Sequence, residues 1–214
     1  MVRVDIGGVP LDLLPEHAAY LPDERTLLVA DAHVGKAASF RGLGVPVPPG
    51  TTTQTLERLS AALTATAARR LVLLGDFLHS ARAQVPDVLT ALAHWRSRHA
   101  GVGITLLRGN HDRRAGDPPG DLDIDVVDGP LACGPFMLAH EPASHDGGYV
   151  LAGHVHPCVV VGGRGFDRLR LPCFHFGARV GVLPAFGAFT GTHAWPREAG
   201  DRVFAIAEGA VHEV

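Results

Sequence analysis

The chain has 214 residues, enough for one sizeable core, and 46% of them are apolar, which argues against disorder. Its formal net charge is −3, so no overall positive field draws in nucleic acid, and any such contact must use a local patch. No stretch approaches the roughly 18 consecutive apolar residues of a membrane span, and no basic start precedes a long apolar run, so a cytoplasmic protein without membrane partners is expected.

In chain order, Val2 to Leu14 reads as a strand or hairpin turning at Gly7-Gly8, and Leu27 to Ala30 as a buried strand. A loop rich in Gly and Pro covers Gly42 to Gly50. Thr51 to Arg69 then reads as a helix, with Leu56, Leu59, Ala62 and Leu63 at helical spacing and threonines able to cap its start. Strand Leu71 to Leu74, helix Pro86 to Ala100 and strand Ile104 to Leu107 follow. This alternation implies right-handed parallel connections. Asp112 to Asp128, polar and rich in Pro, Gly and Asp, reads as a loop. Beyond it come short apolar runs, Phe136 to Leu138 and Tyr149 to Ala152, then a hairpin turn at Gly162-Gly163-Arg164-Gly165 and a closing strand within Val203 to Val211. The expected architecture is α/β: two packed mixed β-sheets flanked by helices, in one domain over residues 1–214. The apolar run Val182 to Phe189, with Pro184, Phe186 and Phe189, invites a base-stacking role, but it is expected to pack in the core. Cys133, Cys158 and Cys173 are odd in number without CxxC spacing and read as buried small hydrophobes.

Five polar motifs each follow one of the apolar runs: Asp31-Ala32-His33, Gly75-Asp76, Gly109-Asn110-His111-Asp112, Ala139-His140-Glu141 and Gly153-His154-Val155-His156. In open α/β sheets, ligands gather beyond the carboxyl ends of strands, so five clusters at five strand ends describe one site. Carboxylate oxygens and imidazoles are the donors of Mn, Fe and Zn. Two divalent cations roughly 3.5–4 Å apart suit phosphate-ester hydrolysis, because they generate hydroxide and neutralise phosphoryl charge. One carboxylate must bridge such a pair, and Asp76 is placed for it. Lys36, just beyond the first motif, His79, three residues past Asp76, and Arg113, beside the third motif, are candidate phosphate contacts. Asp112 and Glu141 are candidate supports for the neighbouring ligands. Arg108 and Arg114, with Arg164, Arg168 and Arg170, are candidate lining for a nucleic-acid path.

The five motifs in this order resemble the calcineurin-like metallophosphoesterases across residues 31–156. The resemblance implies that fold, a first metal held by Asp31, His33, Asp76 and His156, and a second held by Asp76, Asn110, His140 and His154. It implies His111 as the catalytic histidine and a metal-bridging hydroxide as the attacking group. The segments Asp31 to Lys36, Phe40 to Gly50, Leu74 to Ser80, His140-Glu141-Pro142, Leu171 to Phe174 and Leu183 to Gly191 resemble, over nearly the whole chain, the bacterial DNA ligase-associated phosphoesterases. That resemblance implies a nuclease or end-processing role in the DNA damage response, on single-stranded or damaged DNA. It also implies possible association with a DNA ligase, a helicase and an exonuclease. Mn²⁺ is the expected metal, with Fe or Zn also fitting. The same chemistry on a small nucleotide or cyclic diester is the alternative substrate class. The run Phe77-Leu78-His79-Ser80 after Gly-Asp, where the serine/threonine protein phosphatases carry Asp-Arg-Gly, argues against a protein substrate.

Overall fold

The computed structural model describes residues 1–162 and 168–214. Seven strands make the first sheet: β1 (Val2–Ile6), β2 (Val9–Leu14), β3 (Ala18–Leu21), β4 (Thr26–Val29), β5 (Arg70–Leu73), β6 (Gly103–Leu107) and β7 (Ile124–Val127), in that spatial order. The first four form an antiparallel meander, and β4 to β7 run parallel. Helices α1 (Lys36–Gly42) and α2 (Thr51–Thr66) join β4 to β5, α3 (Pro86–Arg98) joins β5 to β6, and α4 (Asn110–Ala115) follows β6.

Period-two alternation decides what each face of this sheet meets. Leu27, Val29, Leu71, Leu73, Ile104 and Leu106 bury against Leu56, Leu59 and Leu63 of α2 and Val88, Leu92 and Trp95 of α3. The alternate set, Leu28, Val72 and Leu107 with Leu11 and Leu13, buries against the second sheet through Phe136, Leu151, Phe174, Phe204 and Ile206. That sheet has nine strands: β8 (Leu131–Cys133), β9 (Phe136–Leu138), β10 (Tyr149–Ala152), β11 (Pro157–Gly162), β12 (Arg168–Phe176), β13 (Val180–Val182), β14 (His193–Ala194), β15 (Arg202–Ala207) and β16 (Ala210–Glu213). Its pairing is mixed: β10 runs parallel to β9 and β13, and β11 parallel to β14, while β8–β9, β11–β12, β12–β13, β12–β15 and β15–β16 pair antiparallel.

Several elements differ from the expectation. Ile124–Val127 lies inside the expected loop yet is the parallel edge strand of the first sheet, because pairing with β6 outweighs its polar flanks. Asn110–Ala115 is a short helix, and Lys36–Gly42 another that its bordering glycines disguise. Ala18–Leu21 is an additional strand, and the tail is a hairpin of two strands rather than one. The three cysteines are buried and free. The expected turn at 162–165 falls largely outside the described residues, as does Arg164; β11 and β12 on either side pair antiparallel. Among the described residues no helix is long and apolar enough to cross a membrane.

Candidate metal centre

The carboxyl ends of β4, β5 and β6 in one sheet and of β9 and β10 in the other meet at one place, and all five motifs converge there. Backbone bonds zip the first two loops together: Asp31 N–H to Gly75 O (3.2 Å), His33 N–H to Asp76 O (2.9 Å), Val34 N–H to Phe77 O (2.8 Å) and His79 N–H to Val34 O (3.2 Å). Side chains tie in the others. Asp76 Oδ1 accepts from His111 N–H (2.9 Å), and Asp31 Oδ2 accepts from His154 N–H (2.8 Å). Buried Asp112 accepts from Leu78 N–H (3.0 Å) and Gly109 N–H (2.9 Å), pinning the third motif to the second. Its role is therefore scaffolding, while Glu141 is exposed.

Asp31, His33, Asp76, His154 and His156 all adopt left-handed backbone conformations, with φ of 53°, 43°, 52°, 73° and 50°. Such conformations are unfavourable outside glycine and persist where surrounding structure over-determines them, commonly at functional sites. Crowding is equally severe. A Cβ at Gly75 would collide with the His140 ring, and one at Gly109 with Asp76 Oδ1, so both glycines are required by close approach.

The donors fall into two groups. In the first, His156 Nε2 lies 3.3 Å from His33 Nε2 and 3.6 Å from Asp31 Oδ1. In the second, His140 Nε2 lies 3.1 Å from Asn110 Oδ1, 3.1 Å from His154 Nδ1 and 3.4 Å from Asp76 Oδ1. Asp76 faces both groups, because its other oxygen, Oδ2, is 3.8 Å from His33 Nε2. Groups of this composition, Asp31-His33-His156 and Asp76-His140-His154, could each hold a metal ion.

Tautomers sharpen the point. His140 Nδ1 sits 2.9 Å from Leu74 O and His156 Nδ1 3.1 Å from Gly191 O, so each Nδ1 carries the proton and donates it to a carbonyl. Both Nε2 lone pairs therefore face oxygen acceptors, Asp76 Oδ1 and Asn110 Oδ1 at His140 and Asp31 Oδ1 at His156. Asp31 Oδ1 is buried and has no hydrogen-bond partner among the described residues. A buried acceptor left unpaired is expensive, and a cation is what satisfies several at once. The residues thus fit divalent metal ions.

Burial drives the His33 imidazole pKa down to about 2, helped by the neighbouring His156, His111, Lys36 and His79. His79 is lowered to about 4 by the same burial, with His111 and Lys36 adding to it. For His156 burial works in the same sense, but the neighbouring Asp31 carboxylate, with the Gly191 carbonyl adding to it, outweighs burial and the net shift is upward. A proton and a metal ion compete for that lone pair.

His111 is half-buried. Its Nδ1 donates to His79 O (2.7 Å), and its ring stacks on His79 at 4.8 Å and meets His33 edge-on at 4.8 Å. His33, His79 and His111 form a third cluster of nitrogens that sequence spacing alone did not group. Lys36 is half-buried with Nζ 5.9 Å from the Phe189 ring, and burial lowers its pKa. Arg113 is exposed and ion-paired to Asp128 (2.8 Å). Arg108 is paired to Asp117 (2.7 Å) and Asp128 (3.0 Å). Those two arginines are occupied by acids of this same chain. Arg114 is exposed, as are Arg168 and Arg170 on β12. Phe40 and Phe189 border His79 and Lys36, and the repeated glycines of Gly187 to Gly191 were the sequence's hint that this loop runs close to the site.

Two mixed sheets with helices outside and an Asp/His/Asn cluster at the strand ends define a phosphoesterase fold. Comparison with known proteins agrees. The chain is 45% identical to the Pseudomonas putida nuclease MPE, covering 100% of this chain and 99% of that one with a TM-score of 0.87. It belongs to the metallophosphoesterase family with that nuclease and is a metal-dependent phosphoesterase. It is also similar in fold to YfcE, a phosphoesterase from E. coli (16% identity, 88% and 97% of the two chains, TM-score 0.43). A predicted phosphoesterase from Streptococcus pneumoniae is more distant still (12%, 88% and 95%, TM-score 0.32). No protein-family model matches the chain, and no curated protein does.

Proposed function

We propose that this chain hydrolyses phosphodiester bonds in DNA, on single strands or damaged ends, as the DNA ligase-associated phosphoesterases it resembles are expected to do. The observation that carries the reading is the division of Asp76 between two donor groups, Oδ1 toward His140 and Oδ2 toward His33. Asp31, His33, Asp76 and His156 would hold one cation, and Asp76, Asn110, His140 and His154 the other. When bound, the cations supply Lewis acidity that makes hydroxide available at neutral pH and neutralises charge on the phosphoryl oxygens. Mn²⁺ is the cation we assign, since mixed oxygen and imidazole sites accommodate it. His111 keeps its Nδ1 proton on His79 O, which turns Nε2 outward. Protonated there, it donates a hydrogen bond or a proton to the leaving oxygen, an effect worth about 10²–10⁴-fold. A physical partnership with a ligase, helicase or exonuclease belongs to the same reading.

Covalently closed single-stranded circles, incubated with the Mn²⁺-loaded protein, test it. Cleavage that is lost in His111→Ala, with metal content retained, is expected, since a circle has no end to attack. An intact circle beside turnover of bis-p-nitrophenyl phosphate overturns the endonuclease reading. One observation favours a second reading, a small nucleotide diester: Arg108 and Arg113 are taken up by Asp117 and Asp128 rather than left free for a polyanion. Salt separates the two, because binding to polymeric DNA weakens steeply with salt and small-substrate turnover does not.

A further inference from the structure

The loop from Gly187 to Gly191 is fastened at both ends to the first donor group. Gly187 N–H donates to Asp31 O (3.1 Å), and Gly191 O accepts from His156 Nδ1 (3.1 Å). Thr190 Oγ1 donates to Gly187 O (3.1 Å) and Ala188 N–H to Thr55 Oγ1 (3.3 Å), so the span between is also held. A Cβ at Gly187 would sit 2.5 Å from Ala32 O, which presses this loop against the first motif.

Phe189 stands at the middle of that bridge. Phe186, three residues earlier, is fully buried as expected, but Phe189 is 39% exposed, against the expectation that the whole run packs inside. Its ring meets Phe40 at 5.8 Å and 88°, and Phe40 lies 6.0 Å from His79, which stacks on His111. With His33, Lys36 and Thr51 it also lines a crevice of about 10 Å³, room for one water, so a base would lie on the exposed ring and not in the crevice. A single exposed aromatic is ordinary on a protein surface. This one is held in place, braced along one side, beside a lysine, and fixed in register with two candidate metal ligands.

A hydrolase whose substrate is only a phosphate group has no use for such a surface. A nucleotide substrate does: every base has a π-face, and stacking on an aromatic side chain tolerates any sequence. We propose that Phe189, braced by Phe40, is the platform for a nucleobase flanking the scissile phosphate, with Lys36 beside it to meet a backbone phosphate. This rests on the phosphodiester reading above and places the base-binding part of the substrate on the Lys36 side of the centre, away from the paired Arg108 and Arg113.

Three chromogenic diesters with one leaving group test it: thymidine 5′-p-nitrophenyl phosphate, its 3′ isomer, and methyl p-nitrophenyl phosphate, which has no base. The readout is the ratio of kcat/KM for each nucleoside diester over the methyl diester. The expected result is a ratio above one for at least one isomer in the Mn²⁺-loaded wild type. That ratio should fall on the order of tenfold in Phe189→Ala, the scale of one base stack, and return in Phe189→Trp. The isomer affected identifies the side of the phosphate on which the base lies. A ratio unchanged in Phe189→Ala overturns the proposal, as does a wild type that hydrolyses the methyl diester without preferring either nucleoside. A wild type that hydrolyses none of the three overturns the phosphodiesterase reading itself.

Discussion

Two regions of this molecule bury polar side chains and do so in opposite ways. Beneath α3, Arg96 is 8% exposed, and its guanidinium donates to Leu122 O (2.8 Å), His99 O (2.7 Å) and Asp123 Oδ2 (2.9 Å). Donors meet acceptors, and the result is a clamp that fastens the end of α3 to the segment before β7. At the strand ends, acceptors meet acceptors: Asp31 Oδ1 has no partner among the described residues, and the Nε2 lone pairs of His140 and His156 face carboxylate and amide oxygens. Trp95 Nε1, near Arg96, also lacks a partner, but it is a lone donor and not a convergence. The first arrangement is complete in the protein alone. The second becomes favourable when cations enter, and the left-handed backbone at five of its residues shows how tightly the fold enforces it.

Asp31→Asn gives the largest expected effect. It replaces an orphaned acceptor by an amide that can donate, so the metal-free protein should keep its melting temperature. Metal content should fall, and turnover should drop at least about 100-fold, the scale at which even the outer partners of metal ligands matter. Thermal melts with and without a chelator check it: chelation should lower the wild-type Tm by more than that of the variant, which keeps the donor group of Asp76, His140 and His154. An Asp31→Asn as chelator-sensitive as wild type, or one far less stable than the metal-free wild type, would show that Asp31 does not act as a metal ligand and erase the contrast. Arg96→Met comes next and has the inverse signature. It strands the Leu122 and His99 carbonyls, costing about 2–3 kcal/mol, or roughly 5–10 °C in Tm for a chain of this size. Its metal content and turnover per folded molecule should match wild type.

The two regions also differ in how far the sequence foretold them. The five motifs were readable because each follows a run of buried apolar residues such as Leu71 to Leu74, and strand ends are where parallel sheets place ligands. That both sheets contribute to one centre follows from the same pattern. The Arg96 clamp was invisible, since its partners are two carbonyls and an acid 27 residues away. Ile124–Val127 was missed because Pro and Asp around it imitate a loop, and its pairing with β6 is a tertiary fact. Phe186 and Phe189 share one apolar run, yet one is core and the other exposed. Only the bonds from Gly187 to Asp31 and from His156 to Gly191 decide which. The occupation of Arg108 and Arg113 by Asp117 and Asp128 likewise depends on where the 112–128 segment folds back.

His17 lies between these two extremes and predicts the smallest effect. Its Nδ1 donates to Ala185 O (2.9 Å), and Ala185 is bridged to Ala30, one residue before Asp31. The ring is satisfied on one side, as Arg96 is, yet it braces the Ala185 segment beside the centre. Burial lowers its pKa to about 4; the bond to Ala185 opposes this, and Arg58 adds to it. Between that value and the ordinary 6.5, the unfolded chain takes up a proton that the folded protein refuses. Stability must therefore rise with pH through this window and be lost as pH falls from 6.5 toward 4. Urea melts of metal-free wild type and His17→Gln at pH 5 and pH 7 isolate the contribution, because the other titrating groups cancel in the difference. Wild type should lose more stability than the variant on going to pH 5. If the two lose equally, the His17 ring is solvated enough to titrate normally, and the segment at Ala185 is held by Phe186 N–H on Ala30 O (2.8 Å) without its help.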